Sequence, residues 1–206
     1  MAVGDGEAAL AAVYKPIAGE RPLIDFPDGT LARREVAAFL VSEAGGWGLV
    51  PPTVLREGPF GEGMVQEWIK ADPAADVVAM VVADDSRLRP IALFDAVVNN
   101  TDRKGGHLLP MADGHVFGVD HGVTFSREPK LRTVLWGWQG QPFGDHERAM
   151  LERVAGALDA KLASELRPLL ARPEIGATRR RVAALLRNGR FPRPSSTWPA
   201  VPWPPF

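Results

Sequence analysis

The sequence predicts an α+β fold in two lobes, a small β-rich N-terminal lobe over residues 1–70 and a mostly helical C-terminal lobe over 71–190. Three observations predict it. Short apolar runs punctuated by Gly and Pro fill most of the first part, the pattern of strands and hairpins, with one clear helix among them. The pattern breaks at Lys70-Ala71-Asp72-Pro73. Beyond Asp145 the apolar residues recur at helical spacing. The remaining segment, FPRPSSTWPAVPWPPF over 191–206, carries too many prolines for a helix or a central strand. It either packs in extended form through Trp198 and Trp203 or forms a mobile end.

Taken in order, AALAAVYKPI reads as a strand, because Val13, Tyr14 and the Pro after Lys15 outweigh its alanines. Residues 18–28 read as a loop. GTLARREVAAFLVSEAGG is the clearest helix, with Leu31, Val36, Phe39 and Leu40 on one stripe. Asp28 or Thr30 caps its start and Gly45-Gly46 stops it. Glu35 lies near the apolar face. It needs a partner if buried, and otherwise pairs in solvent with Arg33 or Arg34. TVLRE and GMVQEWI form a hairpin around GPFGEG. DVVAMVVADDSRLRPIALFDAVVNN is helical but broken near Ala83–Ser86, with Ser86 capping a helix that runs to Val98. KLRTVLWGWQGQPFGD is an irregular loop that buries aromatic area. Asp145 caps one long helix, HERAMLERVAGALDAKLASELRPLLA, and EIGATRRRVAALLRNG is a second, closed by Gly189. Arg179, Arg180 and Arg181 read as a solvated helix face.

Composition excludes several classes of function. A hydrophobic content of 46% with 24% charged residues fits a packed core. The formal net charge of -1, with no basic stripe, argues against nucleic acid and against an anionic membrane surface. There is no cysteine, hence no disulfide and no thiolate metal site, which fits a cytoplasmic location. No apolar run has the length of a signal peptide or a membrane span, so no stable membrane insertion is expected.

The chemistry concentrates in DAVVNNTDRKGGHLLPMADGHVFGVDHGVTF, Asp95 to Phe125. Asn99-Asn100 ends an apolar run in a turn, and Gly105-Gly106 allows a sharp fold. HLLPM and HVFGV read as strands joined at Ala112-Asp113-Gly114. Such a hairpin brings Asp102, His107 and Asp120 toward one small volume. Taken alone, Asp102-Arg103 reads most simply as an ion pair within a turn. A metal hydrolase on His107, His115, His121 and Asp120 is a rival, although the histidines stand eight and six residues apart, unlike a compact metal helix.

Phosphoryl transfer needs a lysine for the phosphates, a glutamate to hold it, an acid facing the acceptor hydroxyl, and oxygen ligands for a hard cation. The chain presents Lys15 on an early strand, Glu35 on the first helix, then Asp102, His107 and Asp120. In VYKP, LARREVAAFL, NNTDRKGGH and GVDHG it resembles the bacterial branch of the phosphoinositide 3-/4-kinase-like superfamily, near HipA-type kinases. The likeness runs from about Ala11 to Phe125 and more loosely over the helical remainder. It implies a protein-kinase-like fold and an ATP-dependent phosphotransferase. Lys15 would bind the phosphates of ATP with Glu35 as its helix partner, and the backbone of Gln66, Glu67 and Trp68 would meet adenine. Asp102 would be the catalytic acid, with Asp120 and His107 at Mg²⁺ or Mn²⁺. The implied acceptor bears a hydroxyl, on a protein Ser/Thr, an inositol lipid or a small molecule. A nucleotide-binding pseudokinase or an adenylyltransferase would use the same parts. The chain departs from these relatives in two places. His107 stands where they carry Asn, and imidazole suits Mn²⁺ or Zn²⁺ better than Mg²⁺. Only fourteen residues precede Lys15, so either the phosphate-covering loop is a minimal one within MAVGDGEAA or the sequence starts inside a longer natural chain.

Overall fold

The computed structural model describes residues 2–3 and 10–206. The phosphate-covering turn expected around Gly4 and Gly6 lies outside the described residues. Strands β1 (Ala2–Val3), β2 (Leu10–Pro16), β3 (Thr53–Gly58) and β4 (Gly61–Glu67) pair antiparallel in the order β1-β2-β4-β3. The β3–β4 hairpin turns at Gly61, whose φ of 91° suits glycine. Lys15 stands opposite the fully buried Met64 in the β2–β4 register. Alternation along β2 then sends Tyr14 to the other face, where its hydroxyl donates to the Gly61 carbonyl at 2.5 Å.

Helix α1 (Leu31–Gly45) packs behind this sheet and buries Val36, Ala37, Ala38 and Val41. Its start differs from the expected cap. The Thr30 hydroxyl donates backwards to the Pro27 carbonyl. The exposed amides of Leu31 and Ala32 are met instead by the two carboxylate oxygens of Glu20, at 3.0 and 2.7 Å. An anion from the preceding loop thus satisfies orphan amides at the positive end of the helix. Gly46 ends α1 in the left-handed region, as the sequence predicts.

Beyond β4 come α2 (Val77–Val82), a 3₁₀ turn at Ser86–Leu88 and α3 (Arg89–Val98). The Asp76 side chain caps α2, and Asp85 rather than Ser86 caps the turn that leads into α3. A carboxylate one residue upstream reaches the Arg87 amide and also grips the Arg87 guanidinium. Strands β5 (Leu108–Pro110) and β6 (Val116–Gly118) form the second hairpin, turning at Gly114 with φ of 90°.

The long helix expected after Asp145 is two helices, α4 (Asp145–Asp159) and α5 (Leu162–Leu166), broken at Ala160-Lys161. Leu158, Leu162 and Leu166 stay buried on both sides of the break, so apolar spacing hides it. The start of α4 is satisfied by Glu147, whose carboxylate accepts from Gly144. Helix α6 (Arg172–Asn188) ends at Gly189, φ 63°.

Of the three arginines on α6, Arg179 and Arg180 are exposed as expected, and Arg181 turns inward. Arg179 pairs with Asp159 at 2.9 Å, and Arg181 donates to the Val97 carbonyl at 2.8 Å. Burial, together with the neighbouring charge of Arg180, lowers the Arg181 pKa to about 10. The core runs from Met64 through α1 and α3, where Leu93, Phe94 and Val97 are fully buried, to Leu151 and Val154 of α4. No helix among the described residues is long and apolar enough to cross a membrane.

Candidate active site

Lys15 occupies the junction of two clefts. Its Nζ donates to Glu35 Oε1 at 3.0 Å and to Asp120 Oδ1 at 2.7 Å. Glu35 is buried, and its other oxygen accepts from the His121 amide at 2.8 Å. One carboxylate on α1 therefore fixes both the lysine on β2 and the loop after β6. Burial alone would lower the Lys15 pKa; Glu35 and Asp120 more than reverse this, and the ammonium is held above its usual value. Burial raises the Glu35 pKa against the opposing pull of Lys15. Burial also pushes Asp120 up, but Lys15, His107 and Arg103 outweigh it and hold the carboxyl below its usual range.

The first cleft, about 550 Å³, lies between Val13 and Lys15 on one side and His107, Leu109 and Val119 on the other, floored by residues 66–71. Gln66 belongs to the sheet interior, its side chain donating to Thr53 at 2.8 Å. The amide of Glu67 donates to the Pro52 carbonyl and that of Trp68 to the Ala11 carbonyl. These two donors, expected to meet a base, are thus engaged within the sheet. The cleft continues past them along Ile69, Lys70 and Ala71. The second cleft, about 400 Å³, is lined by Lys15, Glu20, Glu35, Asp102, Asp120 and Val123, among others.

Asp102 and Arg103 do not pair with each other. The Asp102 carboxylate faces Lys104 Nζ at 3.3 Å, and its amide donates to Asn100 Oδ1. Arg103 turns inward and is fully buried against Asp95 of α3, Nη2 to Oδ1 at 3.0 Å. It also donates to the carbonyls of His107 and Val119, and its Nη2 lies 2.6 Å from His121 Nε2. Asn100 adds a donor to Asp95. One guanidinium thus fixes α3, the end of the Asp102 loop and the residue before Asp120. Asp120 itself adopts φ of 62°, in the left-handed region that Asp tolerates better than most residues.

His107 Nε2 lies 3.3 Å from Asp120 Oδ2, and its Nδ1 faces the Lys104 amide at 3.5 Å. Burial lowers its pKa, which makes it neutral at pH 7. With Nδ1 turned to a donor, the proton sits on Nε2 and points at Asp120. Ligation of a metal through Nε2 would require the other tautomer. His115 meets Phe117 edge-to-face, with ring centroids 4.4 Å apart, and His121 is enclosed by Arg103 and Phe94. The three histidines of the hydrolase reading therefore do not converge. Among the described residues, no group of three or more His, Cys, Asp or Glu is placed to hold a metal ion.

No family model matches the chain. Protein Rv2133c of Mycobacterium tuberculosis is 45% identical over 236 residues, covering 98% of this chain and 84% of that protein. This chain belongs to the Rv2133c family. The solved structure of hydra Fam20 with sugar matches at a TM-score of 0.51 and 13% identity, over 89% of this chain and 78% of that one. At that identity the likeness speaks to fold alone, and it shows a kinase-like fold for this member of the Rv2133c family.

Asp95 and Lys104 have no role in the sequence reading, and Arg103 is read there only as a turn partner of Asp102. The signal for Asp95 was an acid inside the apolar run LFDAVV, which demands a buried partner. His121 carries a measurable consequence for this Rv2133c relative. Burial, then the charge of Arg103, holds its pKa well below 6.5, so the folded ring is neutral. The unfolded chain takes up a proton as pH falls through about 6.5, and the folded chain does not. Stability is therefore lost as pH falls below that value, at up to about 1.4 kcal/mol per pH unit for one such group. His107, also lowered by burial, acts in the same direction. Urea midpoints at about pH 7 and 5.5 test this. The wild-type midpoint should drop, and His121→Asn should flatten most of the change. A wild-type midpoint that holds steady would refute the assignment.

Proposed function

We propose that this chain is an ATP-dependent phosphotransferase, nearest on its motifs to the phosphoinositide 3-/4-kinase-like and HipA-type enzymes. ATP would lie between a lobe of residues 1–70 and a lobe of residues 71–190. The observation that carries this reading is Lys15, held between Glu35 and Asp120 where two clefts meet, with Asp102 in the second. Adenine enters the 550 Å³ cleft against residues 66–71, with Ile69–Ala71 reaching beyond the amides already engaged. The phosphates extend past Lys15, whose charge Glu35 holds in place.

Asp120 fits Mg²⁺, which binds through one or two carboxylates and completes its shell with phosphate and water oxygens. A bound Mg²⁺ would neutralise charge on the phosphate oxygens. His107 acts on Asp120 as a hydrogen-bond donor in this reading, which leaves a single metal. Asp102 accepts the proton of the acceptor hydroxyl, and Lys104 beside it pairs with its carboxylate at 3.3 Å. Among the described residues Lys15 is the one cation lining the second cleft, and Glu35 and Asp120 already engage it. A neutral hydroxyl compound or a Ser/Thr side chain suits this cleft better than an anionic inositol phosphate. A cytoplasmic location, suggested by the absence of cysteine, belongs to the same reading.

The test is incubation with labelled ATP and Mg²⁺ or Mn²⁺, reading ADP, AMP and protein-bound label together. ADP formation supports the kinase. AMP release with AMP-labelled protein identifies an adenylyltransferase. Nucleotide-induced thermal stabilisation with no product identifies a pseudokinase. Asp102→Ala is expected to bind ATP as the wild type does and to lose turnover by about 100-fold or more, as for a missing general base. Turnover retained in that variant removes Asp102 from the role.

A further inference from the structure

We infer that the tail segment Ala200–Phe206 is a positioning element for the loop that carries Asp102. Its effect on turnover rests on the phosphotransferase reading; the contact itself does not. The segment grips the loop at two places. The Gly105 amide donates to the Pro205 carbonyl at 2.9 Å. The Ala200 carbonyl accepts from the Thr133 amide at 3.0 Å and from Trp136 Nε1 at 2.9 Å. Residues 132–134 pass the second grip on, since the Arg103 amide donates to the Arg132 carbonyl and Val134 donates back to Arg103. Two peptide groups just after Asp102 are thereby tied to the tail, Gly105 directly and Arg103 through residues 132–134.

Gly105 explains itself only through this contact. Its φ lies outside the left-handed region, so no turn requires glycine there. What excludes a side chain is Phe206. A Cβ on Gly105 would stand 2.1 Å from Phe206 Cδ1, closer than any real contact. Gly106, by contrast, faces open space and lines the first cleft. The ring of Phe206 therefore presses on the backbone three residues after Asp102 and two before His107. Further back, Lys130 Nζ sits over the Trp198 ring, 4.5 Å from its centroid. Prolines at 199, 202, 204 and 205 restrict the backbone of the segment, so less conformational freedom is lost when it docks. Trp203 is 85% exposed and takes no part in the grip.

A loop that must hold an acid within hydrogen-bond reach of a hydroxyl tolerates little displacement, and about 1 Å of misplacement can cost roughly 100-fold in rate. The tail supplies the second side of that constraint, opposite the buried Arg103.

Four variants of the full chain test this: Phe206→Ala, Gly105→Ala, the double variant, and Trp203→Ala as control. Amide hydrogen exchange over residues 102–107 is read beside kcat and KM for ATP, with a thermal melt to establish folding. Phe206→Ala and Gly105→Ala should each raise exchange at the loop and lower kcat about 10-fold with KM within about twofold. The double variant should be no worse than Phe206→Ala alone, because removing the ring removes the collision. Trp203→Ala should match the wild type. Unchanged loop exchange in Phe206→Ala, or equal losses in Trp203→Ala, overturns the inference. If the wild type transfers no phosphate, the exchange data still decide the tail's role, and only the kinase reading falls.

Discussion

Asp120→Asn is expected to abolish metal-dependent phosphotransfer, by about 1000-fold or more, while the protein remains folded. The carboxylate joins the lysine of β2 to the histidine before β5. One oxygen takes Lys15 at 2.7 Å and the other faces His107 at 3.3 Å. Asn keeps the size and tolerates φ of 62°. The substitution therefore isolates the charge. Asp120→Ala removes the charge too, and adds left-handed strain of about 1 kcal/mol. Comparing the two separates chemistry from backbone. Lys15 and Asp120 are half-exposed in their pair, and an exposed pair is worth about 0–1 kcal/mol. Thermal stability should thus barely move in Asp120→Asn. The measurement is turnover and nucleotide binding over a Mg²⁺ titration. Turnover within about threefold of wild type would take Asp120 out of the proposed metal site and remove the main support for the kinase proposal.

The elements legible in the sequence were those set by local signals. Alternation and β-branched residues gave β2 and the β3–β4 hairpin, helical spacing gave α1, and Ala112-Asp113-Gly114 gave the β5–β6 turn. Lys15, Glu35 and Asp120 do come together, and His107 joins Asp120. Pairings that cross the fold were not legible. Arg34 finds Glu174, 140 residues away, and Glu20 reaches over a loop to cap α1. Arg103 ignores the adjacent Asp102 because burial rewards a forked guanidinium with carboxylate and carbonyl acceptors on several sides. The engaged amides of Glu67 and Trp68 were equally hidden, since their acceptors, Pro52 and Ala11, lie on other segments. The Pro-rich tail could be read only as non-helical. Its docking depends on carbonyls, which composition does not reveal.

Arg103→Met should destabilise the protein by about 3–5 kcal/mol, the usual cost of stranding one partner of a buried ion pair. Asp95 is completely buried, and without Arg103 it keeps only Asn100 and a long 3.4 Å contact from Thr133. Against a typical total stability of about 5–15 kcal/mol, that is a large share. Arg103→Lys should recover little, because an ammonium cannot reach Asp95, two carbonyls and His121 at once. The double variant Asp95→Leu/Arg103→Met should lose less than the two single losses added together, since it leaves no stranded charge. Urea unfolding checks all three, and a loss under about 1 kcal/mol in Arg103→Met would contradict the stranded charge. The same substitution separates stability from function. Arg103 lines neither cleft; it holds the carbonyls of His107 and Val119, and so sets where Asp102 and Asp120 stand. At temperatures where Arg103→Met is still folded, kcat should fall well beyond the unfolded fraction, because the two acids lose their common anchor.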